Sequence, residues 1–193
     1  MTRKKTDGTK GLDLKSVSIL MIAEALPENE TDSFYTSTDS LYVQNTIRAF
    51  QQAGFSVHNI ADITNLGVHL TVAVKEPRPG VSMPRELIEK YAPELEAELA
   101  QFPNLKVLLL MGDVAIKTLN LIARRTTGKA CIPTGSTYKI RYQQFFFEGM
   151  RVFPSYLQTG KNFLIEKAKQ RMVTDDIRRA FVWLEKEQTH ANR

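Results

Sequence analysis

Two short runs of almost unbroken apolar residues constrain this chain most: "SVSILMIAEA" (16–25) and "LKVLLLMG" (105–112). Each has strand length and no polar alternation, the pattern of a strand buried on both faces, as in a parallel sheet covered by helices. The second passes straight into "DVAIKTLNLIARR", which reads as a helix with Asp113 as its N-cap. Apolar residues at 43, 47, 49 and 50 predict another amphipathic helix, ended by Gly54. "FSVHNI" and "VHLTVAVK" read as strands. "PRELIEKYAPELEAELAQF" reads as a helix with Pro84 near its start, kinked or divided at Pro93. "STYKIRYQQFFFEGMRVF" alternates and carries aromatics, so it reads as a hairpin or two short strands. Its last strand is expected to end at Val152-Phe153, with a turn at Pro154-Ser155. The segment 161–187 reads as helix, broken near Thr174-Asp175. Strands alternating with helices predict an α/β fold, a three-layer α/β/α sandwich around a mostly parallel sheet.

A chain of 193 residues is long enough for one domain with a real core. The expected organisation is a basic, disordered head over 1–15 and a single domain over 16–190. No apolar run approaches the roughly 18 residues of a membrane span. "SVSILMIAEAL" is interrupted by Glu24 and lacks a small-residue cleavage site, so no signal peptide is expected. Cys131 is the one cysteine, which leaves no disulfide or cysteine-only metal site within these residues and points to a reducing cytosol. His58, His69 and His190 show no metal spacing, and "TGSTYK" and "QTGKNF" lack the full phosphate-loop pattern. No cofactor is expected; the oligomeric state stays open.

The net charge of +5 is unevenly placed. Residues 1–15 carry five basic and two acidic side chains, and residues 124–151 carry six basic and one acidic. Positive charge concentrated in a head and in one internal segment points to a phosphate-rich partner. The candidates for phosphate contact are Arg124, Arg125, Lys139, Arg141, Arg151 and Lys161. A merely solvated basic surface is the alternative.

Three loops leave the expected carboxyl ends of strands, where ligands of parallel sheets sit: "AEALPENETDSFY", "KEPRPG" and "FPSYLQTG". In that order they resemble the loops of the uracil-DNA glycosylase superfamily, nearest its thermostable iron–sulfur class. "IAEALPENETDSFY" (22–35) resembles the Gly-Glu-Ala-Pro-Gly loop, and "VAVKEPRPG" (72–80) the Val-Lys-Cys-Arg-Pro-Pro strand end. "PELEAELAQFPNLKVLLLMGDVAIKTLN" (93–120) resembles the helix–strand–helix core, and "VFPSYL" (152–157) the His-Pro-Ser loop that grips DNA. The likeness spans about residues 17–180.

The resemblance implies hydrolysis of an N-glycosidic bond to a deaminated or damaged base, with Glu24 orienting water. It implies DNA as the phosphate-rich partner, a base pocket from Ala25, Phe34, Tyr35, Val72 and Phe153, and DNA contacts from Pro154, Ser155 and Tyr156. The chain departs from the pattern where the motif His is Phe153, which cannot donate to a base carbonyl. The cluster cysteines are replaced by residues such as Glu76 and Tyr91, so no iron–sulfur cluster is expected. Val72 stands where the uracil-reading Asn would fall. Glu24 reads equally well as a capping or salt-bridging carboxylate, Phe34 and Tyr35 as a satellite core. The alternatives are a non-catalytic nucleic-acid-binding module and an α/β protein for a free nucleoside or nucleotide.

Overall fold

In a computed structural model describing residues 8–191, the chain forms a five-stranded sheet with helices on both faces. The elements in order are β1 (Ile19–Leu26), α1 (Leu41–Gln52), α2 (Ile60–Asn65), β2 (Val68–Pro77), α3 (Arg85–Leu99), β3 (Val107–Met111), α4 (Asp113–Thr127), α5 (Thr137–Ile140), β4 (Phe145–Phe147), β5 (Met150–Ser155) and α6 (Lys167–Ala191). The sheet order is β2-β1-β3-β5-β4, with only β4 antiparallel. The expected α/β/α sandwich is the fold observed.

Strand alternation explains why the two apolar runs have no polar face. Ile19, Met21, Leu109, Met111 and Phe153 pack beneath α1, α2 and α6. Leu20, Ile22, Leu108, Leu110 and Val152 pack beneath α3 and α4 on the other face. Both faces of these strands are buried, so every position is apolar.

Several local expectations are corrected by competing interactions. "FSVHNI" is no strand: Asn59 and Asp62 cap each other and start α2, while Val57 plugs the core. Pro93 neither divides nor ends α3, which runs on to Leu99. Asp113 is the first helical residue of α4, and Gly112 is the cap. α6 begins at Lys167 and passes unbroken through Thr174-Asp175. β5 does not stop at Phe153 but continues to Ser155. Pro154 is tolerated because β4 pairs only as far as Val152, so beyond it β5 has a neighbour on one side alone. Within the expected head, Leu12 and Leu14 pack on the core and Leu14–Ser16 form a 3-10 turn capped by Asp13, so residues 8–15 are ordered rather than disordered. The rest of that expectation, on residues 1–7, lies outside the described residues.

Candidate functional site

β1 sends its connection through α1 on one face toward β2, and β3 sends its connection through α4 on the opposite face toward β5. The two connections diverge and leave a crevice at the carboxyl ends of β1 and β3, where open α/β sheets bind ligands. Here that crevice is a cleft of about 310 Å³. Glu24, Gly112 and Asp113 form its sheet-side wall, and Tyr156, Lys161 and Lys169 border it from the segment after β5.

Glu24 occupies the crevice because its side chain shares the α4 face of β1 with Leu20 and Ile22. One carboxylate oxygen accepts the backbone N–H of Val114 in the first turn of α4, at 3.2 Å. The other accepts from the guanidinium of Arg78, in the loop after β2. Glu24 therefore caps α4 from a neighbouring strand, in the positive field of the helix start. Gly112 makes room for it. Its φ of 111° lies in the left-handed region, and a Cβ there would stand 2.4 Å from the Glu24 carboxylate oxygen. Tyr42 on α1 donates its hydroxyl to the Ala25 carbonyl at 2.7 Å, and burial pushes that hydroxyl up to about 12. The end of β1 is thus fixed from both faces of the sheet.

Of the residues expected at the site, Glu24, Tyr156 and Lys161 border the cleft. The expected base pocket is not assembled around Glu24. Ala25 packs into the α3/α4 core. Phe34 is buried against Tyr42, with ring centroids 5.4 Å apart. Phe153 is 2% exposed and lies under the guanidinium of Arg151, 4.3 Å from its ring centre. It is a core residue, because its position in β5 points to the α6 face.

Pro154 and Ser155 are buried as well, and the Ser155 hydroxyl is consumed by Asp176 at 2.6 Å. Two of the expected phosphate-binding arginines are internal. Arg141, 2% exposed, donates to Asp176 at 2.8 Å and to Asp175 at 3.0 Å, because the fully buried Asp176 needs cationic partners. Arg151, 3% exposed, spends its guanidinium on the carbonyls of Phe145, Val152 and Gln143. Burial and the neighbouring Arg179 lower its pKa to about 10. Arg124 and Arg125 are exposed, but they sit in the last turn of α4, at the end of that helix away from Glu24, and Arg125 pairs with Glu96. Lys139 is exposed on α5.

Phe34, Tyr35 and Val72 do meet, in a second cavity of about 340 Å³ along the open side of β2. The Tyr35 hydroxyl accepts the Leu70 N–H at 2.9 Å and is hydrogen-bonded to Nδ1 of His69, 3.0 Å away. The other ring nitrogen faces Glu98 at 3.7 Å. Lys75 completes the group, 2.7 Å from Glu98 and 2.6 Å from the Thr71 hydroxyl. Burial alone would raise the Glu98 pKa, but His69 and Lys75 bring it down to about 2. His69 was legible only as an isolated histidine, since Tyr35 and Glu98 lie about 30 residues from it on either side. Arg78 was legible only as part of a Pro/Gly loop, and Asp176 carried no sequence signal.

Among the described residues, no three His, Cys, Asp or Glu side chains gather as a metal site, and no helix is long and apolar enough to cross a membrane. No protein-family model matches the sequence, and no curated protein matches it either.

Proposed function

We propose that the protein binds nucleic acid and takes a single unpaired base into the cleft beside Glu24, as a divergent relative of the uracil-DNA glycosylases. The observation that carries this reading is the Glu24 carboxylate at the switch point of the sheet. A helix start in such a crevice ordinarily attracts phosphate. Here the Glu24 carboxylate, paired with Arg78, already takes the helix-start N–H of Val114, so a phosphate has no vacancy there and a neutral group carrying N–H donors is favoured. The rim differs: Lys169 is paired there with Glu166 at 2.8 Å, and the exposed Lys161 borders the cleft on the solvent side, where a backbone phosphate of a strand would lie. Base inward and phosphate outward is the orientation that this charge order favours. The volume, about 310 Å³, is at the lower end of small-ligand sites.

Hydrolysis of the glycosidic bond is the second reading, favoured by the same residue. Glu24 could orient a water toward the sugar carbon, with Arg78 holding the far oxygen. Against it, Phe153 offers the departing base no donor and does not face the cleft. A missing donor of this kind typically costs on the order of 100-fold or more in rate. Binding without efficient excision is therefore the primary proposal.

The test is a panel of oligonucleotides carrying uracil, hypoxanthine, xanthine or an oxidised base. The expected result is salt-dependent binding that Lys161→Glu weakens, with little or no excision. Excision abolished by Glu24→Gln would promote the second reading. Binding to mononucleotides alone, with no salt-dependent affinity for oligonucleotides, would overturn both.

A further inference from the structure

The molecule exposes three aromatic rings on one side: Tyr138 (66% exposed), Tyr142 (62%) and Phe146 (51%). Solvent-facing rings are costly to leave bare, and three in a span of nine residues form no part of either core cluster. They are continuous with the cleft. Tyr156 borders the cleft, and the residue before it, Ser155, shares the Asp176 carboxylate with Arg141. Tyr142 follows directly after Arg141. Phe146 lies on β4, the last strand at that edge of the sheet, and meets Trp183 of α6 at a centroid distance of 6.4 Å.

Guanidinium groups run between the rings. Arg141 and Arg179 lie 4.5 and 4.7 Å from the centre of Tyr142, and Arg151 lies 5.5 Å from the centre of Phe146. Lys139 is exposed beside them. Arg141 and Arg151 are buried and held by internal partners, so the exposed Lys139 and the part-exposed Arg179 are the cations that can face a bound strand. Exposed aromatic faces with a cation beside them are what unstacked bases and their phosphates require. Duplex DNA keeps its base faces stacked internally and would leave the rings unused.

We infer that Tyr138, Tyr142 and Phe146 form a stacking track for single-stranded nucleic acid that leads to the cleft. The inference rests on the reading of the cleft as a nucleic-acid site and adds the strandedness of its partner. Tyr156 marks where the strand passes from track to cleft, and Lys139 is placed to meet its phosphates.

Fluorescence anisotropy with labelled dT12 and with a 12-base-pair duplex tests this. The expected result is at least tenfold tighter binding of dT12. Tyr138→Ala and Tyr142→Ala should each weaken dT12 binding roughly 5- to 100-fold, the range of one lost base stack. Tyr142→Phe, which keeps the ring and loses only the hydroxyl contact to Asp175, should bind like the wild type, and its unfolding midpoint controls for folding. If nucleic acid binds and Lys161→Glu weakens it, but the alanine variants match the wild type or duplex binds as tightly as dT12, the track is overturned and the cleft reading stands. If nothing binds, both fall. If Tyr142→Ala instead changes the sedimentation coefficient of the free protein without changing dT12 affinity, the surface is a protein interface and the track is overturned.

Discussion

The Ser155 hydroxyl donates to the carboxylate of Asp176 across 2.6 Å, and both residues are buried. This bond ties the last residue of β5 to α6, and Arg141 and Arg179 complete the shell around the same carboxylate. The hydroxyl in "FPSY" is thereby a structural group. Ser155→Ala leaves Asp176 one donor short and should cost about 1–3 kcal/mol. Chemical denaturation measures it, and affinity for oligonucleotides at a temperature where both proteins are folded should be unchanged.

Stability should respond to pH in two opposite ways. Burial pushes the Asp176 carboxyl up to about 6 from its ordinary 3.8, although Ser155, Arg141 and Arg179 act against the shift. The folded state then binds that proton more tightly than the unfolded chain. This contribution is full below about pH 4 and is lost as pH rises through about 6. Glu98 behaves conversely: its pKa is lowered from 4.5 to about 2, so its contribution is present above about pH 4.5 and is lost as pH falls through about 2. Each is worth on the order of 1–3 kcal/mol. Stability curves from pH 2 to 8 should lose the slope between pH 4 and 6 in Asp176→Asn, and the acid-side slope in Glu98→Gln.

Phe153→His should not create glycosylase activity. The ring sits in the core beneath Arg151, with Arg179 at 5.5 Å, so an imidazole there would face two cations and gain no route to a base. The expected outcome is a loss of roughly 2–4 kcal/mol in stability with unchanged excision. Thermal unfolding and the oligonucleotide panel read the two effects separately.

What the sequence could reveal followed from how local each signal was. β1 and β3 were legible because burial on both faces forbids polar residues along a whole run, and α1 because an apolar stripe ends at Gly54; its Ser40 cap was not read. "FSVHNI" was misread because a capping box between Asn59 and Asp62 outweighs three β-favouring residues. Glu24 was read as lying just past a buried strand, whereas it is within β1, and the capping and ion-pair roles weighed for it are both present. Arg141 and Arg151 were misread as surface charge because their partners are remote. Asp176 lies 35 residues beyond Arg141, and Arg151 bonds to carbonyls that carry no sequence signature. Phe34, Tyr35 and Val72 do come together, but beside His69, a meeting set by the edge of β2.

The buried and exposed cations should separate in experiment. Arg141→Ala removes a partner from a buried carboxylate and should destabilise by about 3–5 kcal/mol. Lys139→Glu and Lys161→Glu change exposed side chains and should leave the unfolding midpoint within a degree or two. Each should lower the slope of log affinity against log salt by about 1. Titrations at four salt concentrations, paired with thermal unfolding, check both halves.

The cleft beside Glu24 is tested most directly by titrating isotope-labelled protein with short single-stranded oligothymidylate and following backbone amide shifts. Entry of a base should move the amides of Gly112, Val114, Tyr156, Gly160 and Lys161, which border the cleft or donate to Glu24. Those of Leu70 and Glu98, beside the second cavity, should stay in place. Shifts confined to the β2 cavity, or none around Gly112 and Val114 at saturating oligonucleotide, would contradict a base-binding cleft at the switch point of this sheet.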